Sequence, residues 1–179
     1  ISEGVACKNS SVLKLTLFAL LLFVSEFGFS QISVNQATSQ SQVEDMVEDV
    51  LLGSCVTIGS VSYTGPASSS GTFSSNGSAF PMGSGILLTT GSASIAVGPD
   101  NDNDAGTGHG NPGDADLTDL VTGAVTHDAV ILEFDFVPQD DTLRFNYIFA
   151  SEEYPEWVNS GFNDVFGFFI SGPGFSGPY

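Results

Sequence analysis

The chain has 179 residues and carries 21 acidic against 3 basic side chains, a formal net charge of −18. So large an acidic excess excludes nucleic acid and anionic membrane surfaces as natural partners, because both are held through Lys and Arg. The length allows one domain with a real core, and only 13% of the residues are charged, the rest being the Gly, Ser, Thr, Asn and apolar mixture of a secreted β protein.

Residues 1–30 read as a secretory signal peptide. Lys8 and Lys14 give a basic start, and Leu13 to Val24 is an apolar core shorter than the roughly 20 residues of a membrane span. Gly28-Phe29-Ser30 offers small residues for cleavage, leaving Gln31 as the new terminus. Cys7 precedes the apolar core, so it is not placed as a lipoprotein cysteine. The mature domain, residues 31–179, is then expected outside the cell or on its surface, with no segment inserted in a membrane. Arg144 is its one strong cation. Cys55 is its one thiol, read as a small buried hydrophobe beside Val56 and Ile58, with a disulfide to a partner outside this sequence as the alternative.

Residues 39–52 predict one amphipathic helix. Ser41 and Glu44 make a capping box, Val43, Met46, Val47, Val50 and Leu51 form one apolar stripe, and Gly53 closes it. The acids Glu44, Asp45, Glu48 and Asp49 lie off the stripe and read as a solvated face. Cys55 to Tyr63 alternates as a strand. The Gly/Ser/Pro-rich stretch to Gly85 holds short strands such as Thr72-Phe73-Ser74, and Gly85 to Thr90 is a buried strand turned by Gly91.

Asp100-Asn101-Asp102-Asn103-Asp104 opens a Gly-rich loop. Asp100, Asp102 and Asp104 match the start of an EF-hand calcium loop, but Ala105 sits where Gly is needed and Asn111 where the bidentate Glu should be. It is therefore not an EF-hand; a looser Ca²⁺ site and a solvated polar loop are the two readings. Asp114 to Leu120 reads as a short helix capped by Asp114 or Asp116. Two distant histidines, His109 and His127, give zinc little support.

Asp128 to Val137 is a strong strand with Val130, Leu132, Phe134 and Phe136 on one face. Pro138 ends it, and Thr142 to Ser151 is expected to fold back antiparallel on it, Arg144 facing Glu133 or Asp135. Val165 to Ile170 is apolar on both faces, like a strand inside a sandwich. Between these two strands lie Glu152, Glu153, Glu156, Asn163 and Asp164 with no Lys or Arg among them. A hard cation with oxygen ligands, most simply Ca²⁺, resolves their repulsion, and solvation is the plainer alternative. Tyr154 and Trp157, in the same connection, are the candidate ligand-binding rings.

This stretch also carries a resemblance. The run from Phe145 to Val158 (Phe-Asn-Tyr-Ile-Phe-Ala-Ser-Glu-Glu-Tyr-Pro-Glu-Trp-Val), followed by Phe-Asn-Asp-Val-Phe-Gly-Phe-Phe-Ile-Ser-Gly-Pro-Gly from Phe162, resembles the signature of the choice-of-anchor L domain. That family occurs in secreted and surface proteins of bacteria, many of them Bacteroidetes. Gly85 to Gly91 and Asp128 to Phe136 resemble it in the same order, so the likeness covers roughly residues 35–179. It implies an extracellular β-rich module, often joined to a C-terminal sorting or anchoring signal, and brings no established reaction with it. It further implies strands beyond Tyr179, and with Ile1 in place of an initiator Met the sequence is expected to be a fragment lacking its C-terminal part.

Many strands, many turns and one helix predict a mainly β fold, an antiparallel β-sandwich of the jelly-roll type with an N-terminal amphipathic helix. The expected function is a non-catalytic adhesion or recognition module on the cell surface, stabilised by Ca²⁺ and meeting a glycan or another surface protein. One alternative is a glycan-cleaving hydrolase drawing paired carboxylates from Glu152, Glu153, Glu156 and Asp164. The other is a purely structural surface-layer domain.

Overall fold

The computed structural model describes residues 31–51, 56–99, 102, 104–139, 141–151 and 156–174. The expected signal peptide, Cys55, Asp100, Glu152, Glu153 and Tyr154 lie outside them.

Among the described residues five strands are formed, in two antiparallel sheets. β1 (Ser33–Gln36), β3 (Ser70–Ser74) and β4 (Ser84–Leu88) make the first, with β3 central. Its register runs from Ser33 opposite Ser74 to Gln36 opposite Gly71, and from Ser70 opposite Leu88 to Ser74 opposite Ser84. β2 (Val56–Thr64) and β5 (Ile131–Pro138) make the second, with a bulge between Ile58 and Val61. Its pairing follows the alternation of both strands. Val61 and Tyr63 oppose Phe134 and Leu132 on the inner side. On the outer side the hydroxyls of Ser60 and Ser62 donate to Asp135 at 2.6 Å and Glu133 at 3.4 Å.

Helix α1 (Gln40–Met46) lies against both sheets. Its cap, Ser39, lies two residues before the expected Ser41. Ser39 Oγ accepts from the Gln42 amide at 3.3 Å, and the Gln42 side chain reaches back to the Thr38 amide at 2.8 Å. From Val47 the backbone widens into a π-type turn, Val47–Leu51. That change of pitch splits the predicted stripe. Val43 and Val47 are fully buried and Met46 is buried, while Val50 and Leu51 turn out to solvent. Val43 and Met46 form the core with Ala37 and Tyr63, and Ile86, Val130 and Leu132 pack against them from β4, the approach to β5, and β5. The buried Tyr63 phenol donates to the Pro66 carbonyl at 2.8 Å, and burial pushes its pKa up. Each buried valine contributes roughly 1.5–3 kcal/mol.

Helix α2 (Ala115–Leu120) forms as expected, capped by Asp114, whose carboxylate accepts from the Leu117 amide at 3.0 Å. Two expectations fail. Thr142 to Ser151 and Val165 to Ile170 are not strands, and β5 pairs with β2 rather than folding back on its sequence neighbour. The serine hydroxyls of β2 satisfy the β5 carboxylates that Arg144 was expected to meet, and its Val61 and Tyr63 match the β5 apolar face. The more distant partner is the more complementary one. Among the described residues the fold is therefore mainly β, two small open antiparallel sheets with an N-terminal helix, the sheets not closing on one another as a sandwich or jelly roll was expected to. Among the described residues no helix is long and apolar enough to cross a membrane.

Candidate functional site

Two regions gather the side chains with chemistry: a polar loop ahead of β5 and an aromatic strip after it.

The loop closes on Asp128. The Asp128 amide donates to the Asn111 carbonyl at 3.0 Å, and the Ala129 amide to the Pro112 carbonyl at 3.1 Å. In return the Asp128 carboxylate accepts from the amides of Asn111, at 2.6 Å, and His109, at 3.2 Å. These backbone donors, Asn111 foremost, together with the nearby His109 charge, hold its carboxyl below the ordinary range against the opposing effect of partial burial. The residue adopts φ 49°, a left-handed conformation that aspartate tolerates better than most. His109 Nε2 meets the Gly91 carbonyl at 3.2 Å, which fixes that nitrogen as the donor. Further along, Thr126 Oγ1 lies 3.0 Å from both the amide and the carbonyl of Asp114 and 2.8 Å from Thr118 Oγ1. Gly113 must be glycine here, because a Cβ would collide with the Thr126 carbonyl.

The loop is pinned, but its acids are not drawn inward. Asp102 and Asp104 are exposed, and Asp100, their expected third, lies outside the described residues. Among the described residues no group of three or more His, Cys, Asp or Glu side chains is close enough to hold a metal.

The strip is built from 143–149 and 165–170. Ring contacts show the two segments running antiparallel, although no strand forms there. Phe145 meets Phe168 with centroids 5.0 Å apart, and Tyr147 stacks on Phe166 at 5.5 Å and 24°. Phe149 stacks on the same Phe166 at 6.1 Å and 30°. Its inner side touches α2, since a Cβ on Gly167 would lie 2.8 Å from Leu117 Cδ2. Its outer side is open: Tyr147 is 70% exposed, Phe149 56% and Phe166 48%. At one end Ser151 Oγ donates to Asp164 Oδ2 at 3.3 Å. Beyond it a turn through Asn159, at φ 63°, is closed by the Ser160 amide on the Trp157 carbonyl at 2.9 Å. Trp157 stands edge-on to Phe162 at 5.2 Å and 38% exposed.

Of the expected site residues, Asn163 and Asp164 are exposed at the end of the strip and Trp157 lies in the turn after it. Glu152, Glu153 and Tyr154 fall outside the described residues. The sequence reading passed over Asp128 and the stack on Phe166. Asp128 is one acid among 21, and its only signal is an aspartate immediately before a strand. Phe166 was placed in a buried strand.

The family model of the Choice-of-anchor L domain matches residues 33–179. No curated protein and no solved structure matches the chain.

Proposed function

We propose that this chain, which belongs to the Choice-of-anchor L domain family, is a surface-associated module that recognises a neutral carbohydrate chain through the strip of Tyr147, Phe149 and Phe166. The observation that carries this reading is the exposure of three near-parallel rings in one row. Monomeric proteins rarely leave such a contiguous apolar face to water unless it meets something. Sugars present flat C–H faces that stack on rings, and hydroxyls that need donors and acceptors beside them. Ser151, Asn163 and Asp164 supply these at the end of the row. A net charge of −18 and the exposed carboxylates of Glu156 and Asp164 disfavour a polyanionic ligand. The module has no catalytic role in this reading, and it works outside the cell or on its surface.

Calcium is the cation of the same proposal. Asn163 and Asp164 at the end of the strip, with Glu152 and Glu153 from the same sequence connection, are oxygen ligands of the kind Ca²⁺ takes, and so are Asp100, Asp102 and Asp104 of the Gly-rich sequence. The support for it is the charge imbalance: no Lys or Arg follows Arg144 in the sequence.

The test is affinity electrophoresis of the whole chain in gels carrying neutral polysaccharides, with acidic polysaccharides as comparison. Retardation by a neutral polymer, abolished by Tyr147→Ala with Phe166→Ala, is the expected result. No retardation by any neutral polymer, or retardation unchanged in the double variant, overturns the reading. Retention by a purified surface protein alone transfers the strip to a protein partner.

A further inference from the structure

We infer that Asn76 is a self-modification site: its carboxamide is lost spontaneously, by attack of the Gly77 backbone nitrogen, to leave aspartate and isoaspartate in the turn after β3. The inference stands apart from the recognition reading.

Four observations converge on this one residue. Asn76 and Gly77 are the two central residues of a tight turn, both at positive φ, 48° and 76°. The turn is closed by the Ser78 amide on the Ser75 carbonyl at 2.7 Å. This is the geometry for which Asn-Gly is selected in mirror-image turns. Asn76 and Gly77 are both exposed, and a Cβ added to Gly77 would stand in open space. The electrophile is already polarised: Ser74 Oγ donates to Asn76 Oδ1 at 3.3 Å, placing a hydroxyl where negative charge builds as the amide carbon becomes tetrahedral. Finally, the turn lies at the tip of the connection between Ser74 and Ser84, and exposed loop tips are where a fold opens most readily. Local loosening at the tip suffices, because ring closure requires only that the Asn76 carboxamide swing toward the Gly77 nitrogen within reach of the Ser74 hydroxyl.

The reaction balances without any co-reactant but water. The Gly77 nitrogen forms a bond to Asn76 Cγ and gives up its proton. The Cγ–Nδ2 bond breaks and ammonia leaves, closing a five-membered succinimide. Water then opens either carbonyl of the ring. Opening at Cγ restores an aspartyl main chain. Opening at the backbone carbonyl routes the main chain through Cβ and lengthens it by one atom. Each product adds a negative charge to a chain that already carries −18. The isoaspartyl product also breaks the spacing that lets Ser78 reach Ser75, so the end of the β3–β4 pairing at Ser74 and Ser84 loosens.

No other described asparagine combines these features. Asn111 precedes proline, which has no nitrogen able to attack, and Asn35, Asn146, Asn159 and Asn163 precede residues bearing a side chain. The test is incubation of the whole folded chain at neutral and mildly alkaline pH, followed by peptide mapping and isoaspartyl methyltransferase labelling. The expected result is conversion at Asn76 ahead of every other asparagine, with isoaspartate in excess, faster at the higher pH and slowed by Ser74→Ala. In urea, where the hydroxyl is no longer positioned, Ser74→Ala should have no effect. Because Gly77→Ala is strained at φ 76° and could unfold the turn, Ser74→Ala is the deciding variant. Asn76 surviving while another asparagine converts would overturn the inference, and so would a Ser74→Ala rate equal to wild type in the folded chain.

Discussion

Asp128 does three jobs at once: it turns the chain into β5, accepts the amides of His109 and Asn111, and returns its own amide to Asn111. Replacing it by Ala removes two charge-assisted hydrogen bonds and puts a poorly suited residue at φ 49°, so Asp128→Ala should cost about 2 kcal/mol in a denaturant melt, discounted for partial exposure. Asp128→Asn keeps the left-handed preference and should cost about half as much. The pH dependence has a definite sign. The folded carboxyl sits below its ordinary value of 3.8, so its stabilisation is fully present above that pH and is lost as pH falls through the lower folded value. Melting temperatures measured from about pH 5 downward should therefore fall more steeply for wild type than for Asp128→Asn. At this scale local chemistry was legible wherever a residue acts on its own neighbours. The Asp114 cap could be read because its acceptor and its target amide are three residues apart. Asp128 could not, because its partners lie 17 and 19 residues away, and nothing local marks which of the chain's 21 acids will fold back.

The elements show a similar divide. The helix at 40–46, the short helix at 115–120 and the strands β2 to β5 fall near their expected places, because periodicity and turn residues are local signals, whereas β1 was not expected. Partner choice is not local. The reading of β5 followed chain order, whereas Ser60, Ser62, Val61 and Tyr63 of β2 match β5 face for face across some 70 residues. The helix stripe was read correctly for Val43, Met46 and Val47 and fails at Val50, where the backbone widens and a 3.6-residue period no longer applies. The two halves of that stripe should behave differently. Val47→Ala deletes a fully buried side chain and should cost about 2 kcal/mol, whereas Val50→Ala, at 39% exposed, should cost under about 0.5 kcal/mol. Chemical denaturation of both variants checks this. Equal losses would mean that the regular helix continues past Met46.

On the scale of the whole molecule, charge and exposed aromatics dominate. A −18 surface repels itself, and a divalent cation bound only by the folded state raises stability with its concentration. At calcium about 100-fold above its dissociation constant the gain is about 2.7 kcal/mol, so melts in calcium and in EDTA should separate by several degrees. Replacing Glu152, Glu153 and Asp164 by Ala should close most of that gap. Identical melts in the two conditions would return these acids to the solvated reading. The surface-associated class of the molecule was legible through the resemblance, which covers nearly the same residues as the family match. The strip was only half legible. Tyr154 and Trp157 in the connection were read as the ligand rings, whereas those of 165–170 were assigned to a buried strand, since a run apolar on both faces reads the same whether a sheet or a ligand is to cover it.

That ambiguity decides the account, and one measurement addresses it directly: the melting temperature of Tyr147→Ser with Phe166→Ser against wild type. If the strip is a contact face open to water, removing the rings costs only their mutual stacking, about 1 kcal/mol, and the melt shifts by a few degrees. Should the rings instead belong to a closed core, the pair would lose on the order of 6 kcal/mol or more, and the cooperative transition would collapse. The first result is the one this account predicts, and the second would contradict it.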